Sequence, residues 1–360
     1  MSYNRVKPYN ELPLLPPKHE LESKLVLRKV ISAGRALAEL KGMGISIPNQ
    51  QILINTIMLQ EAEDSSRVEN ILTTDDRLYS ALNLKTEKID IATKEVLRYN
   101  EALWEATELL RQGRPLTTNI FVGIVQTITQ NKSSVRKTPG TTIKNDATGE
   151  IIYTPPEGES LIRSLLFNLE KYIHDADDID TLIKLAVIHY QFEAIHPFND
   201  GNGRTGRIIC VLYLYYKKLL KEPIIYLSQY IIKNKGGYYR LLRNVTEKHD
   251  WEPWVLYMLD AIEKTALNTC QRILLIRDLI EQTLEKAKKS RSLRSNQKEF
   301  IELLFSYPYI KINRLVKAGM GTRLTVTTHL TDLEHLGVLK SEKRGREKFY
   351  YSPELLKILS

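Results

Sequence analysis

Within twelve residues the chain gathers an imidazole, a carboxylate, two glycines flanking an asparagine and two guanidiniums: His196-Pro197-Phe198-Asn199-Asp200-Gly201-Asn202-Gly203-Arg204-Thr205-Gly206-Arg207. Gly201 and Gly203 let the backbone turn tightly just before an apolar run that begins at Ile208, so their N–H groups face outward at a helix N-terminus, a ready anion site. Arg204 and Arg207 are three apart and share one face of the first helical turn, where planar guanidinium forks suit a polyphosphate. Cations at a helix N-terminus oppose the macrodipole, a cost that a bound anion reverses. Asp200 offers the hard oxygen that Mg²⁺ prefers when it bridges phosphates. His196, with an ordinary pKa of ~6.5, can accept a hydroxyl proton near neutral pH. Taken singly, each residue has a structural explanation: a packed histidine, a turn, a solvated Arg-x-x-Arg face. Together they are the parts for transferring a phosphate-linked group to a hydroxyl.

The stretch resembles the His-x-Phe-x-(Asp/Glu)-Gly-Asn-Gly-Arg-x-x-Arg signature of Fic-domain proteins at every defined position, and the resemblance spans residues 10–285. It implies an α-helical fold and transfer of AMP from ATP to a Ser, Thr or Tyr hydroxyl of a protein. By motif position His196 is then the general base and Asp200 the Mg²⁺ ligand. Gly201, Asn202 and Gly203 hold the α-phosphate region, Arg204 and Arg207 the β- and γ-phosphates, and Phe198 anchors the loop. Kinase-type relatives carry Lys in place of Gly203, which puts this chain on the AMP-transfer side.

Upstream, Ser65-Ser66-Arg67-Val68-Glu69-Asn70 looks like the (Ser/Thr)-x-x-x-Glu-(Gly/Asn) inhibitory motif of family members restrained from an N-terminal helix. Glu69 would pair with Arg207 and withhold it from the γ-phosphate; a solvated helix with an ordinary Glu is the plainer alternative. The resemblance further implies a flap whose edge near Ile151-Ile152-Tyr153 pairs with an extended segment of the target. Ile152 and Tyr153 would cover the nucleotide, and Tyr238 would lie near the adenine unless it is core. Some relatives carry Asn where this chain has Thr246, a departure at the base contacts. Removal of AMP, with a Glu positioning water, is the rival reaction.

These groups need a scaffold, and the pattern predicts a mainly α one. Residues 1–18, with four prolines, read as an extended lead-in packed on the body. Helices are expected at about 19–40 (stopping at Gly42-Met43-Gly44), 49–61, a short one to 72 after a break at 63–66, 90–112, 117–130, 160–174, 179–192, 203–219, 234–248 and 251–288. The Thr-, Gly- and Asn-rich stretch 132–159 reads as a β-hairpin flap. The expected division is 1–110 N-terminal helical region with the inhibitory helix near 65–70, 111–287 catalytic core, 288–295 linker, and 296–360 three short helices and a hairpin, the pattern of a small winged-helix domain.

Composition bounds the rest. The chain has 360 residues, 42% apolar and 26% charged, an ordinary globular balance. Its longest apolar run, 208–216, is far short of the ~18 residues that span a bilayer, so no membrane partner is expected. Cys210 and Cys270 are too few for a disulfide framework and fit a reducing cytoplasm. His19, His174, His189, His249, His329 and His335 show no metal-ligand spacing. Of the formal charge of +9, +8 resides in 288–360, where 15 of the 52 Lys+Arg and 7 of the 43 Asp+Glu lie. Nucleic acid is therefore a candidate partner only for 296–360, through the wing turn Lys343-Arg344-Gly345-Arg346, against which stand Asp332 and Glu334 on the presumed recognition helix. A protein substrate on the flap and a second copy of the chain complete the expected partners; ATP and Mg²⁺ are the expected cofactors.

Overall fold

A computed structural model describes residues 3–46, 51–81, 89–132, 134–144, 148–176, 178–289, 292–293, 297–344 and 347–359. Among these the body contains α1 (Lys24–Ser46), α2 (Gln51–Val68), α3 (Asp75–Ala81), α4 (Ile91–Arg111), α5 (Thr118–Thr129), the antiparallel hairpin β1 (Ile143–Lys144) and β2 (Ile151–Tyr153), α6 (Glu159–His174), α7 (Thr181–Ile195), α8 (Asn202–Tyr216), α9 (Leu227–Lys233), α10 (Lys235–Lys248) and α11 (Trp251–Ala287). The fold is mainly helical, with one small hairpin on the body.

Helix α7 is apolar on all sides and nearly all of it is buried, which makes it the central helix rather than a half-exposed one. Its neighbour α8 carries the apolar run 208–216 and is likewise buried, Cys210 included. The indole of Trp254 on α11 donates to the Ala186 carbonyl of α7 at 2.9 Å, fixing the long helix to the centre. The proline-rich lead segment does pack on this body: Leu12 and Leu15 are buried, and Asn168 of α6 exchanges hydrogen bonds with both backbone groups of Leu15.

Helices α3 and α9, and a last short helix at Pro353–Leu359, stand where the pattern predicts none, and α1 and α2 differ from the expectation in their bounds. Helix α1 starts at Lys24 and runs through Gly42 and Gly44 instead of stopping there. A Cβ at Gly44 would come within 2.8 Å of Ile224 Cδ1, so that glycine serves close packing, not termination. Helix α2 is continuous across the expected break at 63–66. Ser66 returns its hydroxyl to the Ala62 carbonyl at 2.7 Å, and the polar run points inward rather than ending the helix.

The C-terminal region has α12 (Gln297–Phe305), β3 (Ile310–Lys311), α13 (Ile312–Lys317), α14 (Arg323–His335), β4 (Lys340–Arg344), β5 (Glu347–Tyr351) and α15 (Pro353–Leu359), with sheet order β3-β5-β4. Three helices followed by a hairpin is the order expected of a winged helix; half of the expected linker, and Gly345 and Arg346 of the wing turn, lie outside the described residues. This region packs on α11 and also touches α2. Asn55 Nδ2 donates to the Ser306 carbonyl at 2.9 Å, and Arg272 Nη1 of α11 donates to both Gln60 Oε1 (2.7 Å) and the Leu359 carbonyl (2.9 Å).

Candidate active site

Helix α7 ends at His196, a non-glycine residue with φ +49°, and the left-handed turn swings the chain into the 196–207 loop. Arg136, fully buried, holds this turn: its Nε donates to the His196 carbonyl (2.8 Å) and its backbone N–H to the Pro197 carbonyl (2.9 Å). Its Nη2 reaches the Ile195 carbonyl (3.4 Å) and the Pro156 carbonyl at the base of the hairpin, so one guanidinium ties flap to loop. Such a cation suits the end of a helix, where carbonyls lack partners. The imidazole Nδ1 of His196 is buried without a hydrogen-bond partner. Burial, then the Arg136 charge, push His196 down to about 4, so at neutral pH the ring is uncharged and able to take a proton.

The loop is stapled from within. Asn202 uses its side chain on Phe198, accepting from the Phe198 N–H (2.9 Å) and donating to its carbonyl (2.8 Å), which leaves only its backbone N–H for an anion. Phe198 is fully buried, as expected. Gly201 has φ +79°, and a Cβ there would lie 3.2 Å from Val125 Cγ2 of α5, so both backbone and packing call for glycine. Asp200 accepts from the Gly201 N–H (2.6 Å) and turns the rest of its carboxylate to solvent.

Arg204 and Arg207 emerge together from α8 and are both buried, but different helices hold them. Arg204 pairs with Glu95 of α4 at 3.0 Å, and its Nε is unpartnered. Arg207 donates to Ser65 Oγ (2.7 Å), the Ser65 carbonyl (3.0 Å) and Glu69 Oε1 (2.7 Å), all on or just beyond α2. Burial would raise the Glu69 pKa, but the neighbouring Arg207 outweighs it and the carboxyl lies below its usual range. Asn70 closes α2 at φ +61°, a conformation asparagine tolerates, and Lys235 Nζ caps the helix end at the Val68 carbonyl (2.7 Å). Glu69 Oε1 lies only 2.2 Å from where a Cβ on Gly203 would be.

Beside these groups opens a cavity of about 650 Å³, lined in part by Glu69, Ile152, Tyr153, Tyr239 and Thr246. Ile152 and Tyr153 are both among its lining residues, and Tyr153 fastens the flap to α7 by donating to the Ala194 carbonyl (2.7 Å). Tyr238 does not line the cavity. It is buried against Trp254 and Tyr257 with its hydroxyl 2.8 Å from His189 Nε2, and its neighbour Tyr239 faces the cavity instead. Adjacent helical residues point about 100° apart, so one register step decides which of the pair is core. The flap edge at 151–153 is also not open along its length. β1 covers one side, and on the other Tyr9 N donates to the Thr154 carbonyl at 3.0 Å.

The sequence reading missed Arg136 and Glu193. Glu193, one turn before His196, lines the cavity with Oε1 buried and unpartnered. Burial lifts it to about 7, with Glu69 adding to the rise and Arg207 opposing it. Its i−3 spacing from His196 was a usable signal; Arg136, sixty positions away, left none.

Among the described residues no cluster of three or more His, Cys, Asp or Glu could hold a metal. A single exposed carboxylate at Asp200 still fits Mg²⁺, which takes one or two protein oxygens and completes its shell with phosphates and waters. No helix among the described residues is long and apolar enough to cross a membrane.

Comparison with known proteins agrees with this geometry. Residues 27–108 match the Fic/DOC family N-terminal region, 115–214 the Fic/DOC family, and 279–355 the C-terminal domain of SoFic-like protein adenylyltransferases. Protein adenylyltransferase Fic of Drosophila erecta is 23% identical over 229 residues, covering 63% of this chain and 39% of the fly protein. The chain thus spans about two fifths of the length of that relative. A probable protein adenylyltransferase of Aquifex aeolicus is 33% identical over 95 residues, 26% of this chain and 27% of that one. The crystal structure of a Fic family protein from Desulfovibrio desulfuricans G20 superposes with a TM-score of 0.60 at 18% identity, covering 94% of this chain and 98% of the other. With three consecutive matches between residues 27 and 355 and a shared fold over nearly the whole length, this chain belongs to the Fic/DOC family.

Proposed function

We propose that the chain is a protein adenylyltransferase that moves AMP from ATP to a Ser, Thr or Tyr hydroxyl and is restrained by its own Glu69. The observation that carries this reading is the buried Arg207 at the start of α8, held by Ser65 and Glu69 beside the cavity. A guanidinium so placed suits a terminal phosphate, and Glu69 occupies it. In the reaction, the target hydroxyl oxygen bonds to the α-phosphorus as the bridge to the β-phosphate breaks and pyrophosphate leaves. His196 takes the hydroxyl proton. The backbone N–H groups at the start of α8 and the Arg204 side chain orient the phosphates. Asp200 would hold Mg²⁺, which when bound offsets phosphate charge. The target segment would pair with the flap on its β1 side, since Tyr9 already covers the end of β2.

The test is incubation of wild type, Glu69→Gly and His196→Ala with Mg²⁺ and α-labelled ATP, read by intact mass. Self-modification by one AMP that rises in Glu69→Gly and vanishes in His196→Ala supports transfer and restraint. Labelling that persists in His196→Ala overturns the base assignment. Loss of label from a modified lysate protein on adding enzyme would favour AMP removal.

A second reading, nucleic-acid binding through 296–360, gains support from one observation. The two acidic residues of α14 are engaged: Asp332 accepts from Ser292 Oγ (2.6 Å), and Glu334 accepts from Ser341 and pairs with Lys348. Arg323, Thr325 and Thr328 remain exposed at the other end of the helix. A mobility shift of duplex DNA by the full chain that weakens with salt supports this reading; no shift at low salt removes it.

A further inference from the structure

Residues 3–10 lie across the hairpin and are pinned to it at four points. Arg5 pairs with Glu150 at 2.6 Å, and Thr154 Oγ1 donates to the Arg5 carbonyl at 2.7 Å. Tyr9 N donates to the Thr154 carbonyl at 3.0 Å, and Glu157 N donates to Asn10 Oδ1 at 2.9 Å. This strap carries Tyr3 to the cavity wall, with its ring 6.2 Å from that of Tyr153 at 21° and 5.2 Å edge-on from that of Tyr9. Burial raises the Tyr3 phenol well above its ordinary range, and α10, whose Glu247 and Arg243 act on it through their charges, forms another wall of the same cavity. Tyr239, Leu242 and Thr246 line that wall. The phosphate-facing groups, Arg204 and Arg207, belong to α8, away from this roof.

We infer that the strap completes the nucleotide site and that the Tyr3 ring is a stacking wall for a purine base, making it a specificity-determining residue. The inference rests on the adenylyl-transfer reading. A tyrosine face is suited to the task because a base stacked on an aromatic ring gains affinity without needing hydrogen-bond readout. Anchoring through Arg5 and Thr154 fixes the ring in advance, which lowers the ordering cost of binding.

The experiment is calorimetric titration of the full chain, in the Glu69→Gly background that frees Arg207, with ATP and separately with inorganic triphosphate. Tyr3→Ala is expected to weaken ATP binding about tenfold and leave triphosphate binding unchanged. Tyr3→Phe should bind ATP as the background chain does, and Arg5→Ala, which loosens the strap without touching the ring, should give a smaller loss. Equal ATP affinity in Tyr3→Ala overturns the inference while leaving adenylyl transfer standing. Parallel loss of ATP and triphosphate also overturns it, because damage is then not confined to the base. If the Tyr3-intact chain binds neither probe, both the inference and the adenylyl-transfer reading fall.

Discussion

In the proposed transfer, His196 and Glu69 are the residues on which the chemistry turns. His196→Ala should abolish AMP transfer with an unchanged melting temperature, since the imidazole Nδ1 makes no hydrogen bond that folding would miss. Because burial and Arg136 hold His196 at about 4, the transfer rate of Glu69→Gly should stay level from pH 8 down to about 5 and fall below that; a rate profile over pH checks it. Arg207 is 2% exposed and Glu69 36%. Removing the carboxylate strands part of a buried charge and should cost roughly 2 kcal/mol, a figure reduced for the solvent around Glu69. A thermal melt of Glu69→Gly should show that loss, and addition of ATP should restore it as phosphate replaces the carboxylate. Most of this chemistry was legible in the sequence because it lies in one contiguous stretch. Tyr3 and Arg136 were not, since only the folded chain brings them to the cavity and the loop; Glu193 left a signal in its spacing from His196 that the sequence reading passed over.

At the scale of elements, α2 is the helix that pattern reading misjudged, and the reason is physical. Glu61, Ser65 and Glu69 recur every four residues, the first two buried and Glu69 partly exposed beside Arg207, so a rule equating polar with exposed ends the helix early. Glu61 is wholly buried and accepts from Tyr99 (3.0 Å), the Ser228 hydroxyl (2.5 Å) and the Ser228 N–H (3.0 Å), joining α2 to α4 and α9. Burial lifts it to about 7. Its folded pKa exceeds the unfolded value, so its contribution is complete below about pH 4.5 and is lost as pH rises through about 7. The loss is on the order of 3 kcal/mol. His189 and His196, both depressed, act in the opposite sense, their contribution falling away as pH drops below about 6.5. Comparing urea midpoints of wild type and Glu61→Gln across pH 5–8 isolates the carboxyl: wild type should lose stability relative to the variant as pH rises, and parallel curves would refute the assignment. The hairpin, helices α4 to α8, α10 and α11, and the three helices α12 to α14 were readable from periodicity and caps, such as Asp90 accepting from Thr93 N at the start of α4; α9 and α15, seven residues each, carry too short a pattern and were not expected.

For the whole molecule, the C-terminal region packs on α11 and also touches α2, just beyond which Glu69 lies, through Asn55 and the shared Arg272 hydrogen bonds. Arg272→Ala should loosen that seat, and self-modification should rise above wild type without a change in the His196 requirement; intact mass over time measures it. The division into a nearly neutral body and a basic C-terminal region was plain from charge counting, but their contact was invisible, because its apolar packing and polar bonds join segments far apart in the sequence. The crowding at the catalytic loop bears on inheritance. A side chain at 203 would meet Glu69 Oε1 at 2.2 Å and evict that flexible carboxylate from Arg207. Under the proposed restraint by Glu69, residue 203 would be pleiotropic: a mutation there would change restraint and the phosphate-facing turn at once, and neither could drift through residue 203 alone.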